Sequence, residues 1–224
     1  QATDGTLDKY IGDAILAFWG APIENPRHAV LACTTALRML TKLDEMNSSA
    51  AFGDVQLTMR IGIATGDVMV GDFGNPPRNS SYTVLGDTAN LASRLEGANK
   101  AFGSRILCSK RTRDLALADK DSAPWLWRPI GQVAVKGKAE PIELWELVGT
   151  LRPHGKDTQA WIDVNAAVVE DYRAGRFDEV LSALPVIEAR FGHSSFHETY
   201  RASIDHWRES GMDGFTGSIV LTEK

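Results

Sequence analysis

The chain has 224 residues, 43% of them hydrophobic, and a formal net charge of -5. That is apolar material for one full core and part of a second, so one main domain with an appendage is expected. The acidic balance argues against non-specific nucleic-acid binding, which needs a basic surface, but not against a nucleotide held locally through metal.

No apolar run approaches the length of a membrane span and no signal-peptide pattern opens the chain, so a soluble, cytoplasmic piece is expected, with membrane attachment only through segments upstream. Cys33 and Cys108 have no ligand-like spacing and read as buried thiols in a reducing compartment. The chain opens on Gln1 and enters a strand-like run within a few residues, which reads as a segment of something longer.

In chain order, Leu7 to Ile11 and Ala14 to Trp19 read as short strands joined by a tight turn that Gly12 permits, with Asp13 at its tip. Asn25-Pro26 opens a helix reaching about Met46, its apolar positions Val30, Cys33, Leu37, Leu40 and Leu43 at helical spacing. Leu57 to Ala64 and Val68 to Phe73 read as a second hairpin across Thr65-Gly66-Asp67, and Tyr82 to Leu85 as a further strand. Thr88 to Ala101 has helical composition and stops at Gly103. A strand at Ile106 to Cys108, a short helix from Lys110 to Leu117, and a hairpin of Ile130 to Val135 with Ile142 to Val148 follow. Hairpins alternating with helices make an α+β pattern and not a regular βαβ repeat.

A linker-like run from Gly149 to Gly155 divides a main domain, residues 1–150, from a tail, residues 151–224. Trp161 to Arg173, Asp178 to Phe191 and Ser195 to Arg208 read as tail helices, with Pro185 expected to kink the second. The joint at Tyr172 to Glu179 resembles that of a tetratricopeptide repeat, and a single repeat suits a packed appendage better than a peptide-binding array. Gly217 to Leu221 is strand-like and is expected to dock onto a neighbour.

Each polar candidate has an ordinary explanation. Asp13 suits a turn, and it also suits a hard-cation ligand. Asn90 and Arg94, four apart, share one helix face as an exposed pair or as a clamp on a nucleotide. Lys136 and Lys138 flank a turn glycine, solvated or facing a polyphosphate. Lys9 lies on a half-buried strand with a stem able to snorkel, and Thr83 lies on a strand. Asp67 and Asp72 read as turn or edge residues.

Read jointly, Lys9-Tyr10-Ile11-Gly12-Asp13-Ala14 and onward, Met59 to Gly71, Tyr82-Thr83-Val84-Leu85-Gly86-Asp87-Thr88-Ala89-Asn90 through Arg94, and Val135-Lys136-Gly137-Lys138 resemble consecutive signatures of class III adenylyl and guanylyl cyclases. Order and spacing agree over Gly5 to Val148, and the tail resembles the carboxyl-terminal extension of some bacterial members. The resemblance implies a ferredoxin-like, palm-type antiparallel sheet with packed helices, plus a small all-α appendage. It also implies a head-to-tail homodimer that cyclises ATP with two Mg²⁺ or Mn²⁺ ions per site. One chain would supply metal carboxylates, Asp13 among them. The other would supply Lys9 and Thr83 to the base, Asn90 to the ribose, Arg94 to the reacting phosphate and Lys136 to the phosphate chain.

A Lys9 donor and a Thr83 acceptor suit adenine, whose N1 accepts and whose amine donates; guanine reverses both. A hydroxyl can also donate, so incomplete rejection of GTP is expected. The family's first metal carboxylate lies on a strand well before the Gly12-Asp13 turn, and the chain has no room for it. Asp4 precedes the strand, and Asp8 is expected to project to the opposite face from Lys9. Residues 1–224 alone are therefore expected to be inactive or nearly so. The alternatives are a degenerate cyclase-fold module that binds nucleotide and dimerises without turnover, and a guanylyl cyclase. A diguanylate cyclase lacks support, because its Gly-Gly-acidic turn is absent.

Overall fold

The computed structural model describes residues 3–49, 51–75, 79–121, 124–134, 140–150 and 156–221. Strands β1 (Thr6–Ile11) and β2 (Ala14–Phe18) form an antiparallel hairpin. Its two-residue connection places Gly12 at φ 62°, a conformation glycine adopts without strain. The register slips between Leu7 and Lys9, so Asp8 is the extra residue of a β-bulge.

Helix α1 (His28–Ser48) begins just past the expected Asn25-Pro26 start, where the Asn25 side chain accepts from the Arg27 amide at 2.9 Å. The expected strand from Leu57 shrinks to β3 (Ile61–Ile63), because the Asn47 side chain satisfies the backbone of Leu57 on both sides, at 2.8 and 3.0 Å. Nor does β3 form the expected hairpin. It pairs in parallel with β6 (Ile106–Ser109), while β4 (Met69–Asn75) pairs antiparallel with β5 (Asn79–Leu85). The Thr65-Gly66-Asp67 segment thus links the main sheet to a separate hairpin.

Helix α2 (Asp87–Phe102) follows β5 directly and ends at Gly103, which takes the left-handed C-cap conformation at φ 59°. It supplies the crossover that a parallel β3–β6 pair requires. Gly62 on β3 permits close approach of the two elements: a Cβ there would lie 2.0 Å from the Ala92 carbonyl oxygen and 2.4 Å from the Glu96 amide. Helix α3 (Lys110–Ala118) is N-capped by Ser109, whose side chain accepts from the Thr112 amide.

Strands β7 (Trp125–Ala134) and β8 (Ile142–Thr150) form the long final hairpin, and β9 (Ser218–Val220) docks in parallel on β7. The main sheet has the order β3-β6-β8-β7-β9, with parallel pairs at both ends, so the architecture is α+β with a mixed sheet and not an antiparallel one.

The sheet is covered on both faces. On one, Val30, Cys33, Ala36 and Leu40 of α1 and Ala116 of α3 pack against Ile106, Cys108, Trp127 and Leu147. Cys33 and Cys108 are both fully buried there, and burial, with Cys33 beside it, pushes the Cys108 thiol up. On the other face, Leu91, Leu95, Ala98 and Phe102 of α2 join Leu107, Ile130, Val133 and Leu144. The same cluster includes Val168 and Tyr172 of α4 (Lys156–Arg173), Leu184 of α5 (Phe177–Phe191), and Phe196 and Tyr200 of α6 (Ser195–Glu209). Fully burying side chains of this size stabilises by about 1.5–3 kcal/mol each. Residues 151–155, where the sequence places the boundary, lie outside the described residues. Pro185 sits inside α5, which continues through it to Phe191.

Candidate active site

Lys9, Thr83, Asn90, Arg94 and Asp13 fall on three adjacent pieces of chain: the β1–β2 hairpin, β5, and α2, which leaves β5 through Gly86. Lys136 lies outside the described residues, as does Lys138.

The structure brings Lys9 and Thr83 together through a residue that the sequence assigned elsewhere. Asp8 does not project away from Lys9. The bulge turns its side chain inward to zero exposure, with Oδ1 at 3.5 Å from the Lys9 ammonium. Its Oδ2 accepts from the Thr83 hydroxyl at 2.5 Å and from the Val84 amide at 3.3 Å. Oδ1 is buried and makes no hydrogen bond among the described residues. Thr83 is 5% exposed, whereas the Lys9 side chain retains 41%. Lys9 therefore presents N–H donors toward solvent from a buried anionic anchor.

Asn90 and Arg94 stand four residues apart on α2, beside the buried positions Leu91, Leu95 and Ala98. Asn90 is exposed and Arg94 half-buried. Nη1 of Arg94 is buried and has no hydrogen-bond partner among the described residues. A buried, unsatisfied guanidinium nitrogen is costly, and an incoming oxyanion would satisfy it. Gly62 sets how closely α2 lies on the sheet, and hence where both side chains stand.

Asp13 is exposed at the hairpin tip. Among the described residues no three His, Cys, Asp or Glu side chains converge to hold a metal ion. A single carboxylate still fits as one oxygen ligand of a magnesium ion that takes its other ligands from water and phosphates. Two open clefts, of about 300 and 460 Å³, are lined by none of these residues. No described helix is long and apolar enough to cross a membrane.

Residues 6–149 match the family model described as the adenylate and guanylate cyclase catalytic domain. The chain belongs to that family. It is 39% identical over 152 residues to adenylate cyclase 1 of Rhizobium meliloti, covering 67% of this chain and 22% of that protein. Thus the chain spans less than a quarter of this relative's length. Among solved structures it resembles the adenylyl cyclase CyaB from P. aeruginosa, at 31% identity and TM-score 0.57, covering 69% of this chain and 76% of the other. It resembles the guanylyl cyclase Cya2 comparably, at 31% identity and TM-score 0.56, covering 69% and 75%. Similarity to both an adenylyl and a guanylyl cyclase leaves base choice to the residues themselves.

Proposed function

We propose that this cyclase-family domain makes 3',5'-cyclic AMP and pyrophosphate from ATP at a site shared between two copies of the chain. The observation that carries the reading is the buried, unpartnered Nη1 of Arg94 on the helix face that also presents Asn90. Donors in such a position contribute most when they meet charge that grows in the transition state.

In this reading Lys9 donates to N1 of adenine and Thr83 accepts from its amine. Asn90 holds the ribose so that its 3'-oxygen attacks the α-phosphorus in line. The new O–P bond forms as the bond from the α-phosphorus to the bridging oxygen breaks. The 3'-hydroxyl proton passes to solvent, and the electron pair leaves with pyrophosphate. Arg94 faces the oxyanion of the α-phosphate, and Lys136 meets the phosphate chain. Asp13 would hold Mg²⁺ or Mn²⁺, two ions per site being proposed, and the metal when bound would acidify the 3'-hydroxyl. One hairpin carboxylate is a sparse donor set, so low turnover is expected from residues 1–224 alone.

Support for a dimer comes from the hairpins outside the main sheet: Leu7, Tyr10, Ile11 and Ile15 on one, and Met69 and Leu85 on the other, are exposed apolar side chains. The test is cyclic nucleotide release by the natural full-length polypeptide given ATP or GTP with magnesium or manganese. Cyclic AMP in excess supports the reading. Cyclic GMP as the sole product would indicate a guanylyl cyclase, and tight nucleotide binding without product a module that does not turn over.

A further inference from the structure

Among the described residues Asp8 is the one carboxylate with a fully buried side chain that touches both members of the base-reading pair, and the mechanism above does not use it. The bulge that turns it inward takes its side chain out of water, which is costly unless its oxygens find partners. Oδ2 finds two N–H or O–H donors, the Thr83 hydroxyl and the Val84 amide. Among the described residues Oδ1 finds only the Lys9 ammonium, at 3.5 Å.

The chemistry of these contacts fixes a polarity. A carboxylate accepts and does not donate, whereas a threonine hydroxyl has one proton and two lone pairs. With its proton committed to Asp8, Thr83 has only acceptor capacity left. Lys9 can only donate. The ambiguity of a free hydroxyl, which would donate to the 6-oxo group of guanine as readily as it accepts from the 6-amino group of adenine, is removed.

We infer that Asp8 is the positioning residue that sets base choice, by consuming the Thr83 proton and tethering the Lys9 ammonium so that the pair reads only an acceptor beside an amino donor. The inference rests on Lys9 and Thr83 being the base-reading pair. It assigns the role to a residue that touches neither base nor phosphate, and it makes discrimination against GTP stricter than a lone threonine would give.

The same contacts would also pin the hairpin to β5, and a purely structural tie predicts different data. The experiment measures binding of 3'-deoxy-ATP and 3'-deoxy-GTP, which lack the attacking hydroxyl, with magnesium, to the natural full-length polypeptide and to Asp8→Ala and Asp8→Asn. Wild type is expected to prefer the adenine nucleotide by about tenfold or more, because a site built for one hydrogen-bond pattern leaves polar groups unpaired with the other. In Asp8→Ala the preference should fall to within about threefold, since the freed Thr83 hydroxyl serves either base. Asp8→Asn keeps a carbonyl oxygen for Thr83 and Val84 but turns an amide N–H₂ toward Lys9. It should retain the preference while adenine-nucleotide affinity falls several-fold.

Three results would overturn the inference: a wild-type ratio near one, an Asp8→Ala protein that loses affinity for both nucleotides equally, or an Asp8→Asn protein whose ratio collapses or whose affinity is unchanged. The Asn variant decides the matter if the Ala variant does not fold. Turnover of ATP in parallel samples judges the cyclase reading separately, because absence of cyclic product leaves the binding ratio intact as a readout.

Discussion

Arg128 donates from Nη2 to the carbonyl oxygen of Phe102, the last residue of α2, at 3.2 Å. Its Nε donates to Glu146 on β8 at 2.7 Å, and its guanidinium lies 4.6 Å from the ring centres of both Trp161 and Phe196. One buried side chain thus joins the sheet, the helix that carries Asn90 and Arg94, and two tail helices. Thr199 of α6 adds a second tie, donating to the Ala101 carbonyl at 2.5 Å.

Replacing Arg128 by Ala should therefore destabilise the whole unit. Glu146 is buried, burial raises its carboxyl with Arg128 opposing the shift, and the variant removes its buried charge partner. The expected loss is about 3–5 kcal/mol, read from the denaturant midpoint. The double change Arg128→Met with Glu146→Leu should recover most of it. Failure of the double change to recover stability would mean that stacking on Trp161 and Phe196 dominates.

Gly62→Ala places a methyl group against backbone atoms of α2, which cannot swing aside as a flexible side chain would. Overpacking of this kind costs about 1–3 kcal/mol. Because α2 positions Asn90 and Arg94, a displacement near 1 Å should also lower kcat, by up to about a hundredfold. A stability loss with unchanged turnover would show that α2 moves without carrying the site.

Glu188 lies at the joint of α5 and α6, where Arg201 grips it in bidentate fashion at 2.8 Å on both oxygens, with His193 at 3.0 Å and His197 at 3.3 Å. The Arg201 contact, chiefly, holds its carboxyl down at about 2, while contacts to Glu198 and Glu188 raise His193. A lowered carboxyl contributes stability above its ordinary value near 4.5 and loses it as pH falls toward 2. A raised imidazole contributes below about 6.5 and loses that as pH rises through its folded value. The melting-temperature gap between wild type and Glu188→Gln should therefore be widest between about pH 4.5 and 6.5 and close toward pH 2. A gap that does not change with pH would exclude the ionic contribution.

The long helices were legible because their information is local: apolar spacing in α1 and α2, and Gly103 as a stop. Strand pairing was less so. Thr65-Gly66-Asp67 has the composition of a hairpin turn, whereas of the paired strands β4 ends at Asn75 and β5 begins at Asn79, and the sequence between them holds Pro76-Pro77, a stronger local break. Pairing of β9 with β7 depends on tertiary packing and has no local signature.

At the site, the resemblance to the cyclase signatures implies roles for Lys9, Thr83, Asn90 and Arg94, but the bulge at Asp8 leaves no mark in the sequence. Strand faces alternate strictly in a sequence reading, and one inserted residue reverses that parity. Asp8 consequently looked like an outward-facing residue when it is buried beneath Lys9 and Thr83.

The central claim is a cyclising site shared by two chains, and the most direct measurement is mixing of two inactive forms of the natural full-length polypeptide, Asp13→Asn and Arg94→Ala. Arg94→Ala alone should lower cyclic AMP release from ATP by roughly a hundred- to a thousand-fold with little change in KM. An equal mixture should recover about a quarter of wild-type activity, since half the dimers are mixed and each of those holds one intact site of two. A mixture no more active than its components would contradict the shared site, and full activity in Arg94→Ala by itself would contradict the role given to Arg94.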